Sequence, residues 1–278
     1  MRRRAPWLLP ILMACLVAAG GLLFAKLLKH ARAQLRPAYI AVHDDARAML
    51  EPSLARQIAR LAADLHPHPD RPRLIALTFD DGPYPLETPL LLEQLRALRV
   101  PATFLLIGRD AQQFPGLARE IARGGGEIDN HTYSHPDLDR LSPAQVEREL
   151  EEGAAALERV GIDQAGVRTR MRPPHGRYTL ATVRAAQRAG YAVVLWTDDP
   201  GDWRTLTPQA IVAHVVARAT APEILLLHSG KLATIEALPQ IVRRFRTDGY
   251  RFVTVSALLR AVPEAELNDP LRRALPES

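Results

Sequence analysis

Arg73-Leu74-Ile75-Ala76-Leu77-Thr78-Phe79 is an apolar, β-prone run, and it leads straight into Asp80-Asp81-Gly82-Pro83. A strand that ends on two carboxylates and a turn is how a parallel α/β fold presents acidic groups at its functional rim. The pattern repeats downstream. Further β-prone runs occupy 102–107, 126–129, 167–171, 191–196, 223–228 and 250–255. Helical periodicity fills the intervals at 86–98, 110–123, 143–160, 178–189, 207–218 and 231–246. Alternation of this kind implies a parallel sheet covered by helices. The expected fold class is therefore α/β: an incomplete, distorted TIM-like barrel of about seven parallel strands, preceded by an N-terminal membrane helix.

Every chemically suggestive side chain follows one of these strands. Asp80 and Asp81 follow the first. His131 and His135, in Asn130-His131-Thr132-Tyr133-Ser134-His135-Pro136, follow the third. Arg172, Pro173 and Pro174 follow the fourth. Asp199, Asp202 and Trp203 follow the fifth, and His228 ends the sixth. Parallel strands converge at their C-terminal ends, so these segments are expected on one face. Two adjacent carboxylates and two imidazoles suffice for a three-ligand metal site with one carboxylate left as a base. The spacing of four between His131 and His135 predicts that both lie on one face of a helical turn. Neighbouring Asp80 and Asp81 should diverge if the segment is extended.

The chain has 278 residues, 47% hydrophobic and 24% charged, which is enough apolar content for a large core and excludes a disordered chain. The net charge of +5 is unevenly spread: residues 1–36 carry seven basic residues and no acid, which leaves −2 for the rest. The body thus lacks the charge of a nucleic-acid binder, and no nucleic-acid partner is expected. Cys15 is the single cysteine, so a disulfide scaffold and a thiolate zinc site are excluded.

Residues 6–25 form an uncharged apolar stretch long enough to span a bilayer. We read 1–33 as a signal anchor. A signal peptide cleaved near Ala31-Arg32-Ala33, or a lipoprotein signal ending at Cys15, are the other readings. Residues 34–72 are expected to form a helical stalk and a Pro/His linker, with His66 and His68 as solvated linker residues, and 261–278 a loosely packed tail. The expected location is a single-pass protein of the cytoplasmic membrane, its catalytic body (73–260) facing the periplasm or cell exterior.

Five ordered motifs carry a resemblance. Thr78-Phe79-Asp80-Asp81-Gly82-Pro83, His131-Thr132-Tyr133-Ser134-His135, Arg172-Pro173-Pro174-His175-Gly176, Asp199-Pro200-Gly201-Asp202-Trp203 and Leu226-Leu227-His228 resemble those of the polysaccharide deacetylase family, also called the NodB homology domain or carbohydrate esterase family 4. The resemblance implies a metal-dependent hydrolase that removes the acetyl group from an N-acetylglucosamine-type glycan. It implies Asp81, His131 and His135 as metal ligands and Asp80 as the base. Arg172 is expected to pair with that base, His228 to act as the acid, and Asp199 to orient His228. Pro174, His175, Trp203 and Leu226 are expected at the substrate, Trp203 and Leu226 as walls of an acetyl pocket. Imidazole and carboxylate donors suit zinc, with cobalt or nickel as substitutes. His175 stands where the family usually has Tyr, which keeps a backbone role open but changes any side-chain contact to sugar. Asp129 replaces a common Gly and is expected beside the metal ligands; His214 is expected to be structural. The other functional readings are a deacylase of a lipid-linked sugar or another non-peptide amide, and a catalytically silent carbohydrate-binding protein. A glycosidase needs two carboxylates across a sugar bond and no His-His-Asp set.

Overall fold

The computed structural model describes residues 72–204 and 206–261. Seven strands alternate with helices: β1 (Leu74–Asp80), α1 (Glu87–Leu98), β2 (Thr103–Leu106), α2 (Gly108–Gln113), α3 (Pro115–Arg123), β3 (Glu127–Asn130), α4 (Pro143–Arg159), α5 (Gly166–Thr169), β4 (Arg170–Met171), α6 (Leu180–Arg188), β5 (Ala192–Val193), α7 (Pro208–Arg218), β6 (Glu223–His228), α8 (Leu232–Thr247), β7 (Arg251–Val253) and α9 (Val255–Ala261). All strand pairings are parallel, in the order β5-β4-β3-β2-β1-β6. β6 lines one edge of β1. The opposite edge is shared: β7 pairs with Leu74–Ala76 and β2 with Thr78–Asp80. The sheet is curled into a half-barrel. After β5 the chain crosses toward the other margin, where the Thr197 amide donates to the Ile224 carbonyl and the Leu226 amide to the Asp198 carbonyl.

Helices must cover a parallel sheet, so its strands are apolar almost throughout. Every residue of β1 is buried. Ile75, Leu77, Phe79, Phe104, Leu106 and Ile128 share one core with Leu91, Leu95, Ile121 and Leu157 from the helices. Phe79 and Phe104, register partners on β1 and β2, stack with ring centroids 5.6 Å apart.

Several boundaries differ from the sequence reading. The helix expected over 110–123 is two helices, because Pro115 cannot donate an amide and restarts the helix at its own first position. The runs at 167–171 and 191–196 yield two-residue strands, β4 and β5. Gly166–Thr169 is a helical turn instead. None of the described helices is long and apolar enough to cross a membrane. The expected anchor (1–33, with its helix at 6–25), the stalk and linker 34–72 with His66 and His68, and the tail 261–278 lie outside the described residues, apart from their end residues Pro72 and Ala261.

Candidate active site and metal centre

The strands deliver their C-terminal residues to one face. Asp80 is the last residue of β1 and His228 the last of β6, and the two are register partners on adjacent strands. His131 follows β3 directly, and Arg172 follows β4.

Asp81, His131 and His135 bring one donor atom each into a cluster in which all three lie within 4.8 Å of one another. Asp81 Oδ1 is 3.6 Å from His131 Nε2 and 3.2 Å from His135 Nε2. His131 Nδ1 lies 2.9 Å from the Arg172 carbonyl, which can only accept. The ring hydrogen therefore sits on Nδ1, and Nε2 turns its lone pair into the cluster. Burial holds the His131 imidazole down at about 4, against the pull of Asp80 and Asp81, so it is neutral and ready to ligate near pH 7.

The backbone that achieves this differs from the expected one. His131–His135 is an irregular turn and not a helical one. Of the five non-glycine residues with positive φ among the described residues, four are here: Asp81 (73°), Thr132 (68°), His135 (62°) and His175 (55°). Side chains that four-residue spacing would have aligned on a helix are brought together instead by left-handed residues, which persist only where surrounding contacts fix them. Asp81 likewise leaves β1 through a left-handed step, so Asp80 and Asp81 do not diverge as neighbours in an extended strand would. Asp80 Oδ2 remains 3.7 Å from His131 Nε2.

Arg172 is completely buried beneath Asp80. Its Nη1 donates to Asp80 Oδ1 at 2.6 Å and to Thr78 Oγ1 at 2.9 Å. Thr78 and Asp80 are two apart on β1 and so share one face. Nε and Nη2 donate to the Val194 and Leu195 carbonyls at 3.0 Å each. A buried guanidinium with its donors on one carboxylate, one hydroxyl and two carbonyls is a fixed platform for the carboxylate.

On the other side, the partner of His228 is Asp202 and not Asp199. Asp202 Oδ1 takes the His228 Nδ1 hydrogen at 2.7 Å, while Oδ2 accepts from the His228 amide and from the Thr234 hydroxyl. Asp199 accepts from the Gly201 amide two residues on, so the Asp-Pro-Gly turn occupies it. Burial disfavours the His228 imidazolium, but the bond and charge of Asp202, with Asp80 and Asp81 nearby, outweigh it and raise the group to about 9.

The remaining expectations divide. Pro174 is buried beside the cluster in a short 3-10 turn, Pro174–Gly176. The His175 ring meets the His135 ring edge-on at 4.5 Å and pairs with Asp137 Oδ1 at 2.9 Å, leaving its side chain 54% exposed. Leu226 is buried in β6. Trp203, expected as a pocket wall, is 50% exposed with the Arg204 guanidinium over its ring. Asp129 is engaged away from the cluster: Arg170 grips it from β4, with Nη2 at 2.7 Å from Oδ1. His214 holds the buried Asp198 at 3.0 Å, a structural pairing. Asp202 is the residue whose role sequence reasoning missed, although it stood in the quoted Asp199–Trp203 run.

Comparison with known proteins agrees with this geometry. The polysaccharide deacetylase family model matches residues 68–194. A peptidoglycan-N-acetylglucosamine deacetylase of Bacillus cereus is 39% identical over 197 residues, covering 69% of this chain and 91% of that protein. A chitooligosaccharide deacetylase of Sinorhizobium fredii is 37% identical over 208 residues, covering 73% and 91%. Among solved structures, a peptidoglycan N-acetylglucosamine deacetylase in complex with a benzamide compound superposes with a TM-score of 0.65 at 30% identity, covering 70% of this chain and 91% of that one. The ordered motifs, the convergent Asp-His-His cluster and these matches together establish that the chain belongs to the polysaccharide deacetylase family.

Proposed function

We propose that this protein is a metal-dependent hydrolase that removes the N-acetyl group from an N-acetylglucosamine-type glycan, peptidoglycan or chitooligosaccharide, and releases acetate. The observation that carries the reading is the flanking of the Asp-His-His cluster by two differently held groups. Asp80 is seated on a buried arginine, and His228 is held by a buried carboxylate. Both relatives named above are N-deacetylases of such glycans.

The donors fit a divalent metal: one carboxylate and two imidazoles converge, one imidazole with its tautomer fixed by a carbonyl. Zinc is the ion this set suits best, with cobalt or nickel able to replace it. When bound, the ion would polarise the acetamide carbonyl and ease the ionisation of water. The chain's own residues do the rest. Asp80 accepts the proton of a water as its oxygen attacks the carbonyl carbon, and Arg172 keeps the carboxylate aimed. The C–N bond then breaks as His228 Nε2 gives its proton to the departing amine nitrogen. Asp202 on Nδ1 keeps that ring oriented and protonated. Acetate and a free amino sugar are the products. Pro174, His175, Trp203 and Leu226 are the candidate contacts to the sugar, with Leu226 in the buried wall and His175 and Trp203 at the open rim.

The test is acetate release by the zinc-loaded full chain from chitooligosaccharides and from peptidoglycan. One free amine should appear per acetate, and a folded Asp80→Asn variant should be silent. Absence of acetate from every glycan that binds would sink the reading, and formate in its place would point to a formamido sugar.

We also propose that residues 6–25 anchor the protein in the cytoplasmic membrane with the body outside the cytoplasm, where such glycans lie. The uncharged length of that stretch supports the anchor, and the place where such glycans lie supports the orientation. The full chain should then stay in the membrane fraction after alkaline extraction; release into the supernatant would refute the anchor.

A further inference from the structure

The turn between the two histidine ligands is accounted for bond by bond. The Thr132 amide donates to Asn130 Oδ1, and the His135 amide to Thr132 Oγ1. The Thr132 and Tyr133 carbonyls accept from the Gly108 and Arg109 amides, in the first turn of α2. Two amides remain, those of Tyr133 and Ser134: both donate to Glu149 Oε2, at 3.1 and 2.9 Å, and the Tyr133 amide is shared with the Glu149 backbone carbonyl, also at 3.1 Å. The Ser134 hydroxyl donates to Glu149 Oε1 at 2.7 Å. Glu149 belongs to none of the five motifs. It sits in the second turn of α4, a helix that otherwise packs its Leu150 and Leu157 into the core.

We propose that Glu149 is a positioning residue for the metal centre: a carboxylate clamp that sets the separation of the His131 and His135 donor atoms. Thr132 and His135 are both held at positive φ, a conformation that is strained for a non-glycine residue unless surrounding contacts impose it. An isolated turn of this sequence would relax and swing His135 away from His131. Two amides and a hydroxyl gathered on one carboxylate oppose that relaxation at the midpoint between the ligands, and charge-assisted bonds of this kind are stronger than neutral ones. The fit is close on the same helix face. One turn further along α4, a Cβ on Gly153 would stand 2.7 Å from Asn130 Oδ1 and 2.9 Å from the Thr132 carbonyl carbon. Only glycine there lets α4 approach near enough for Glu149 to reach the turn.

This inference rests on the Asp81-His131-His135 metal reading, and the experiment separates the two. Zinc affinity of the full chain is measured by competition with a chelating dye for the wild type, Glu149→Ala and Glu149→Gln. Folding is checked independently by near-UV circular dichroism of the zinc-free proteins. Glu149→Ala is expected to bind zinc about 10- to 100-fold more weakly, the usual cost of removing a partner outside the ligand shell. Glu149→Gln should lose less affinity than Glu149→Ala, because its oxygen still takes both amides and the Ser134 hydroxyl turns to accept from its NH2, although the charge assistance is gone. Glu149→Asp, one methylene short of both amides, replaces the alanine variant if that fails to fold, and should lose affinity in the same direction. A folded Glu149→Ala protein, or Glu149→Asp in its place, that binds zinc as tightly as wild type overturns the clamp and leaves Glu149 a stability residue only. A wild type that binds no zinc, or binds it equally well without His131 and His135, defeats the metal reading itself.

Discussion

His228 carries the sharpest consequence of this geometry. Asp202 is the main reason the imidazole stays protonated to about 9 against the cost of burial. The sign follows: a general acid must be protonated, so activity is lost as pH rises through its pKa. Asp202→Asn removes the charge and keeps the shape, lowering that pKa toward the ordinary histidine range. The alkaline limb of the kcat/KM profile should move to lower pH, and the maximal rate should fall. A limb that stays in place would show that His228 is not the acid. Most of this site was legible in the sequence, because residues such as Asp80, Arg172 and His228 sit at strand ends that topology brings together. The choice between Asp199 and Asp202 was not legible, since spacing alone cannot say which carboxylate of Asp-Pro-Gly-Asp turns inward. Turn chemistry held the clue: a carboxylate two residues before a glycine amide is an Asx turn, and Asp199 makes it. Glu149 left no local signal at all, for its partners lie 15 and 16 residues away and meet it only once α4 packs.

Among the elements, α4 links local sequence to the site. Ser142-Pro143-Ala144-Gln145 starts it with a capping box and a proline at the first helical position. The Gln145 side chain accepts from the Ser142 amide at 2.9 Å. Ser142→Ala removes the hydroxyl, which donates to Gln145 Oε1 at 2.8 Å, and should cost about 1 kcal/mol. In a domain of this size that lowers the melting temperature by roughly 2–4 °C. An unchanged melting curve would mean that the cap does not contribute. Long elements such as α4, α8 and β1 announced themselves through periodicity and burial. The two-residue strands β4 and β5 fall inside the β-prone runs 167–171 and 191–196, but their limits were not legible, because a period of two needs at least four residues to be seen. They are nonetheless ladder members, and β4 is what places Arg172 under Asp80. The break of the helix at Pro115 was readable, since a proline inside a helical pattern ends or restarts it.

For the whole molecule, the direction of β1 orders everything else. The chain enters the sheet at Leu74 and reaches the site at Asp80, so β1 begins at the end of the sheet opposite the candidate site. The site is itself a whole-molecule object: the end of β1 supplies Asp80 and Asp81, the turn after β3 both histidines, the end of β4 Arg172 and the end of β6 His228. The charge balance of the body, net negative once residues 1–36 are set aside, fits a glycan partner better than a polyanion.

The most direct test of the central claim is acetate release from an N-acetylglucosamine oligomer by the full chain, followed before chelation, after exhaustive chelation, and after zinc is returned. Release should be abolished by chelation and restored by zinc, with one free amine appearing per acetate. Acetate release that persists undiminished without metal, or its absence from the zinc-loaded protein, would contradict it.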